Sequence, residues 1–172
     1  MLAAAAVLAA ACGGSPAGDR AAKELRAPLP AGRLPSTIAK MVCAPEAQRE
    51  IADALGVTAV VQEPTWSHHR YTCVYRYPDG SFTLSVQELS SWAQTYAYFH
   101  SLGHSLGDTG SVRNLGQGAF TTTHGSVVVR KDWKVLLVDD TGLPPTFGVP
   151  ATSSADVALT IADVILGCWE GD

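Results

Sequence analysis

Arg70-Tyr-Thr-Cys-Val-Tyr-Arg-Tyr77, then Pro78-Asp79-Gly80, then Ser81-Phe-Thr-Leu-Ser-Val-Gln-Glu88 is the stretch whose reading decides the fold. In its first arm Tyr71, Cys73, Tyr75 and Tyr77 alternate with Thr72, Val74 and Arg76. Successive side chains of a strand point to opposite faces, so this period of two reads as a half-buried β-strand. Pro78 presets the backbone dihedral for a turn, Asp79 and Gly80 complete it, and the second arm returns as the antiparallel partner. A hairpin rather than a helical crossover at this point favours an antiparallel sheet.

Upstream, Val57–Gln62 is rich in β-branched residues and is expected to be a strand, with residues 63–69 as a loop before the hairpin. Pro45 suits the first turn of a helix, Glu46 suits the positive end of its dipole, and Gly56 suits its C′ position. Ile51, Ala54 and Leu55 give that helix an inner stripe. A shorter helix before it runs through Cys43, capped by Ser36 or Thr37, with Ile38, Met41 and Val42 inward. Downstream, Ser90 and Ser91 open a helix in which Trp92, Tyr96 and Phe99 share one stripe, read as core-facing, and Gly103 is expected to end it. Three strands follow a glycine-rich loop, at Ala119–Thr123, Ser126–Arg130 and Trp133–Val138. After an irregular connection over Leu143–Ala151, a last helix covers Ser154–Leu166. It puts Val157, Ile161, Val164, Ile165 and Cys168 on one face. The order α-α-β-β-β-α-β-β-β-α predicts an α+β fold in a helix–meander arrangement. Its sheet should be largely antiparallel, of about five to six strands, with helices packed on one face.

The 172 residues, 47% of them hydrophobic and 16% charged, suffice for one domain with a leader and a tether. Residues 1–11 form an Ala-rich apolar run, and Leu8-Ala9-Ala10-Ala11-Cys12 has the pattern of a lipoprotein cleavage site. Residues 1–11 are therefore expected to be a signal peptide, with its basic n-region upstream of Met1. Cys12 is expected to be the lipidated first mature residue. Acyl chains contributing about 0.8 kcal/mol per buried CH₂ would hold the chain at a membrane. An eleven-residue run is too short to span the hydrocarbon core. Residues 12–35 carry Gly13, Gly14, Gly18, Gly32, Pro16, Pro28, Pro30 and Pro35 and read as a flexible tether, leaving residues 36–172 as the globular domain. The formal charge of -4 is uneven: residues 13–35 hold four basic and two acidic residues, residues 36–172 eight basic and fourteen acidic. An acidic domain argues against a nucleic-acid partner, whose phosphates need Lys and Arg.

With Cys12 committed to lipid, Cys43, Cys73 and Cys168 remain for at most one bridge, and the third thiol is either buried and inert or reactive. Four motifs invite a chemical reading. Gly103-His104-Ser105-Leu106-Gly107 matches Gly-x-Ser-x-Gly, but it follows an amphipathic helix rather than a buried strand, and no helix succeeds it. His100 and His104 are four apart, yet no Glu follows the first, so the zinc-protease pattern is absent. Asp139-Asp140-Thr141-Gly142 has no second copy and reads as a turn. Gly116-x-Gly118 precedes a strand rather than a helix, so it is not a phosphate loop. His68, His69 and His124 are expected in solvent or at the core's edge. No residue set is assigned to catalysis, to a cofactor or to a metal.

Taken together, Cys12, Cys43 before the Pro45–Gly56 helix, Cys73-Val74-Tyr75, Leu115-Gly-Gln-Gly-Ala-Phe120 and the Ser154–Cys168 helix resemble a family of actinobacterial lipoproteins. That family is similar in pattern to the extracellular sensor domains of mycobacterial receptor serine/threonine kinases. The resemblance implies a Cys43–Cys73 disulfide tying the first helix to the sheet, contributing roughly 3–4 kcal/mol over a loop of about 30 residues. Cys168 then becomes a buried thiol on the core stripe. The expected function is a non-catalytic binding or sensor-like domain, secreted and held at the outer face of the cell membrane through lipid on Cys12. Its expected partner is a small ligand or an envelope protein. The alternatives are a small envelope hydrolase using Ser105 and a structural or accessory subunit of an envelope complex.

Overall fold

The computed structural model describes residues 28–169. Cys12 and the leader lie outside the described residues. Two short helices open the domain, α1 (Thr37–Met41) and α2 (Pro45–Leu55), followed by β1 (Val60–Val61), β2 (Thr65–Ser67), β3 (Arg70–Tyr77) and β4 (Gly80–Glu88). Then come α3 (Trp92–Leu106), β5 (Asp108–Val112), β6 (Ala119–Thr122), β7 (Val127–Lys131) and β8 (Lys134–Asp139). A small β9–β10 pair (Thr146–Phe147 and Thr152–Ser153) leads into α4 (Ser154–Cys168). The eight-stranded sheet has the order β1-β3-β4-β8-β7-β6-β5, with β2 also paired to β3, and its pairings are antiparallel.

The α+β class and the antiparallel sheet are as the alternation predicts. The central hairpin keeps one register from Arg70↔Gln87 to Tyr77↔Gly80. The sheet is wider than expected. Thr65–Ser67, read as loop, pairs with β3, and Asp108–Val112, read as part of a glycine-rich loop, forms the far edge beside β6. Neither carries apolar alternation: β5 is almost wholly exposed and is held to β6 by backbone pairing and by the Thr109 hydroxyl, which lies 3.0 Å from the Thr121 hydroxyl. The chain also meets the domain before Ser36. The Ala31 N–H donates to the Leu89 carbonyl at 3.0 Å, and Trp66 Nε1 donates to the Arg33 carbonyl at 3.0 Å.

The helices obey local rules. The hydroxyls of Ser36, Ser91 and Ser153 accept from the backbone N–H groups of Ala39, Gln94 and Asp156, capping α1, α3 and α4. Gly56 ends α2 in the left-handed region at φ 67°, where an added Cβ would lie 2.3 Å from the Val149 carbonyl oxygen.

The helices do not all pack on one face. Cys73, Tyr75, Phe82, Leu84, Val86, Val127, Val129, Leu136 and Val138 face α1, α2 and α4 in the larger core. Phe120, Val128 and Val135 form a second core on the other face, against Phe99, Leu102 and Leu106 of α3. The cause is visible in β7, where Val127, Val128 and Val129 are consecutively apolar and all buried. Such a run requires cover on both faces. The continuity of β7 and β8 therefore pulls α3 to the opposite side.

Candidate functional site

Several residues with chemical potential do not converge. Cys43 and Cys73 form a disulfide, Cα to Cα 5.6 Å, thirty residues apart in sequence. It lies beside a second tie, in which the buried Tyr75 hydroxyl donates to the Val42 carbonyl at 2.7 Å. Cys168 is half-buried rather than enclosed in the core, because the last turn of α4 reaches Glu50 of α2, whose Oε2 lies 2.9 Å from its sulfur. Ser105 is exposed on the last turn of α3, and its hydroxyl donates back to the Leu102 carbonyl at 3.3 Å. The structure brings no histidine into hydrogen-bond contact with it. His100, His104 and His124 are all exposed, and among the described residues no group of three His, Cys, Asp or Glu is placed to hold a metal ion. Asp139 Oδ1 accepts from the Thr141 N–H and hydroxyl, so the Asp-Asp-Thr-Gly run is a turn. Asp140 beside it is buried, accepting from the Ser126 hydroxyl at 2.8 Å. Burial pushes its carboxyl above the usual aspartate range, opposed by hydrogen bonds from Ser126 and Ser154.

What the structure assembles instead is a cleft of about 250 Å³ between α3 and the β5–β6 edge. Phe99, Gly103, Ala119 and Phe120 form its apolar walls, while His100 and Asp108 bring polar groups to it. Apolar walls with a few placed polar groups are the usual make-up of a small-ligand site, and the volume lies just below the range of that class, about 300–1,000 Å³. Gly103 does not end α3. The helix runs through it to Leu106, and Gly107 takes the left-handed C-cap at φ 74°. A glycine inside a helix costs about 1 kcal/mol relative to Ala. A Cβ at Gly103 would touch nothing closer than 3.6 Å, from Asp108 Cβ, so packing does not demand the glycine. Its absent side chain leaves the cleft open.

Behind the cleft wall sits Arg130 of β7, only 8% exposed. Of the Trp92–Tyr96–Phe99 stripe, expected to be core, Phe99 packs in the smaller core, while all three rings surround this guanidinium. Its carbon lies 4.2 Å from the Tyr96 ring centroid, 5.7 Å from Phe99 and 6.0 Å from Trp92. Trp92 and Tyr96 stay exposed on their outer sides, at 39% and 46%. The spacing of the stripe was legible. The residue it meets was not, because Arg130 arrives from a strand 31 positions after Phe99. Arg130 Nη2 donates to the Gln117 carbonyl, while Nε is buried with no acceptor among the described residues. No carboxylate among them pairs with it. A buried charge costs several kcal/mol, and cation–π contacts return about 0.5–2 kcal/mol. The aromatic rings offset only part of this cost.

Gly116 and Gly118 let the loop before β6 run close against Arg130. Gly116 has φ 58°, and a Cβ there would lie 2.6 Å from Val129 Cγ1. A Cβ at Gly118 would lie 3.0 Å from Arg130 Nη2, and Gly118 also lines the cleft. Tyr96 also stacks on His100, centroids 6.3 Å apart, and of these residues His100 lines the cleft. Compared with protein-family models, with curated proteins and with solved structures, the chain has no match in any of the three.

Proposed function

We propose that this protein is a secreted bacterial lipoprotein, anchored through Cys12 at the extracytoplasmic face of the cell membrane. There it acts as a non-catalytic, sensor-like binding domain for a small ligand. The observation that carries the binding reading is the cleft under α3, kept open by a helix-interior glycine that packing does not require. The compartment is supported by the Cys43–Cys73 disulfide, since such bonds persist where the surroundings are oxidising. The anchor rests on the Leu8–Cys12 pattern and on the resemblance to actinobacterial lipoproteins. The hydrolase alternative has less support, because the hydroxyl of Ser105 is engaged by its own helix.

Growth of cells expressing the full chain on labelled palmitate tests the anchor. The wild type is expected to take up label and fractionate with membranes, and Cys12→Ala to lose both. Label retained by Cys12→Ala would overturn the anchored reading.

A further inference from the structure

The chain joins the domain beside the N-terminus of α3. The Ala31 N–H reaches the Leu89 carbonyl and, at 3.2 Å, the Ser90 hydroxyl, two residues before Trp92. The Arg33 carbonyl accepts from Trp66 Nε1, and the Gly32 carbonyl lies 3.0 Å from His69 Nδ1. Arg70 Nη2, at the start of β3, donates to the Tyr98 hydroxyl of α3 at 2.8 Å. Residues 28–36, the β2–β3 turn and the outer side of α3 thus form one continuous surface. We infer that this surface rests on the membrane to which Cys12 is anchored, against a bilayer carrying anionic lipid headgroups. The inference rests on the anchor proposed through Cys12 and adds the side of the domain that meets the membrane.

Three observations lead to it. First, the exposed side chains are of the kind that settles at a lipid–water interface. Among the described residues six large apolar side chains stand exposed, and Leu29, Leu34, Trp92 and Tyr96 belong to this surface. Single exposed apolar residues are ordinary, but a group of them marks an interaction surface. Trp and Tyr, with an apolar ring and a polar edge, favour headgroup depth. Arg130 holds the inner sides of both rings, so little side-chain freedom is left to lose on contact. Second, the charge of the surface is opposite to that of the domain. Residues 36–172 carry eight basic and fourteen acidic residues. Yet residues 28–36, 65–70 and 89–104 hold Arg33, Arg70 and four of the five histidines, and no Asp or Glu. Glu88, which adjoins them, is buried and accepts from the Ser36 N–H at 2.9 Å. Such a surface is drawn to anionic lipid, and the acidic remainder is turned away from it. Third, the chain toward Cys12 leaves from this surface, through Leu29 and Pro28, so the anchor brings this side of the domain to the bilayer.

The test uses the full chain, purified from cells and reconstituted into vesicles of phosphatidylcholine and phosphatidylglycerol. The acyl chains carry bromine, which quenches tryptophan at short range. Intact mass reports the lipid on Cys12. The difference between wild type and Trp92→Phe isolates Trp92 from the other three tryptophans and keeps an aromatic ring at the position. Trp92 is expected to be quenched by the brominated chains and shielded from acrylamide in the water. Arg33→Gln and Arg70→Gln should each lower the ratio of docked to undocked domain about fivefold. Equal quenching on vesicles of phosphatidylcholine alone would overturn the assignment to anionic lipid. A lipidated wild type whose Trp92 is unquenched and open to acrylamide would overturn the contact and leave the anchor standing. Trp92 shielded from acrylamide but unquenched would mark a protein, a second copy included, as the occupant and overturn the lipid assignment. A chain without lipid on Cys12 would overturn the anchor and the contact together.

Discussion

Strands β3 and β4 bury one face and β7 and β8 bury both, although all four belong to one sheet. In the first pair buried and partly exposed positions alternate: Phe82, Leu84 and Val86 point to the larger core, while Thr83 and Ser85 point away from it. In the second pair Val128 and Val135 are as buried as their neighbours, because α3 lies across them. The difference locates the cleft. A one-sided sheet region offers a flat polar surface. The two-sided region has a helix standing off the sheet edge, and the gap between them is the cleft that Arg130 backs. The disulfide serves the other region, fixing the α1–α2 connection to β3.

Substitutions can break this comparison. The largest effect is expected for Phe120→Ala, which empties the centre of the smaller core and loosens α3. Its cost should be about 3–5 kcal/mol in urea unfolding, with cleft binding lost as well. Removing the disulfide with Cys43→Ala and Cys73→Ala should cost roughly 3–4 kcal/mol by the chain-entropy account, while leaving ligand affinity unchanged. A loss of cleft binding in this double variant, under conditions where it is folded, would contradict the separation of the two regions.

Smaller effects sharpen it. Gly103→Ala should stabilise the fold by roughly 0.5–1 kcal/mol, since the helix gains propensity and the added Cβ meets no clash. Ser85→Val on the open face of β4 should stay within about 0.5 kcal/mol of wild type, measured by the same unfolding curves. Asp140 gives a pH signature. Its carboxyl is raised in the fold, so the native state holds a proton that the unfolded chain releases. Stability therefore falls as pH rises from the ordinary aspartate value through the raised one. Asp140→Asn keeps an acceptor for Ser126 and cannot ionise. Urea midpoints taken from about pH 4 to pH 7 should show less decline for it than for wild type.

The class of fold was legible because Arg70–Glu88 alternates strictly around a turn whose residues have a mechanism. The two-sided half was also written in the sequence, in Val127-Val128-Val129 and Val135-Leu136-Leu137-Val138. Such continuous apolar runs need cover on both faces, which helices packed on one face would not supply. The edge strands β2 and β5 were not legible, since their pairing is made by backbone groups that every sequence possesses. The site was hidden for a related reason. Gly103 looks like a helix stop in any local reading. Only the tertiary position of Asp108 and Phe120 shows a helix-interior glycine opening a cleft. Arg130 closes the strand expected at Ser126–Arg130, and nothing in the local sequence places Trp92, Tyr96 and Phe99 around it.

The most direct measurement is native mass spectrometry of the full chain purified from its own cell envelope, alongside Gly103→Leu, whose side chain would fill the cleft without disturbing the helix. The wild type is expected to carry a bound small molecule that Gly103→Leu lacks. A wild type without any adduct, or a Gly103→Leu protein carrying the same one, would contradict a binding role for the cleft.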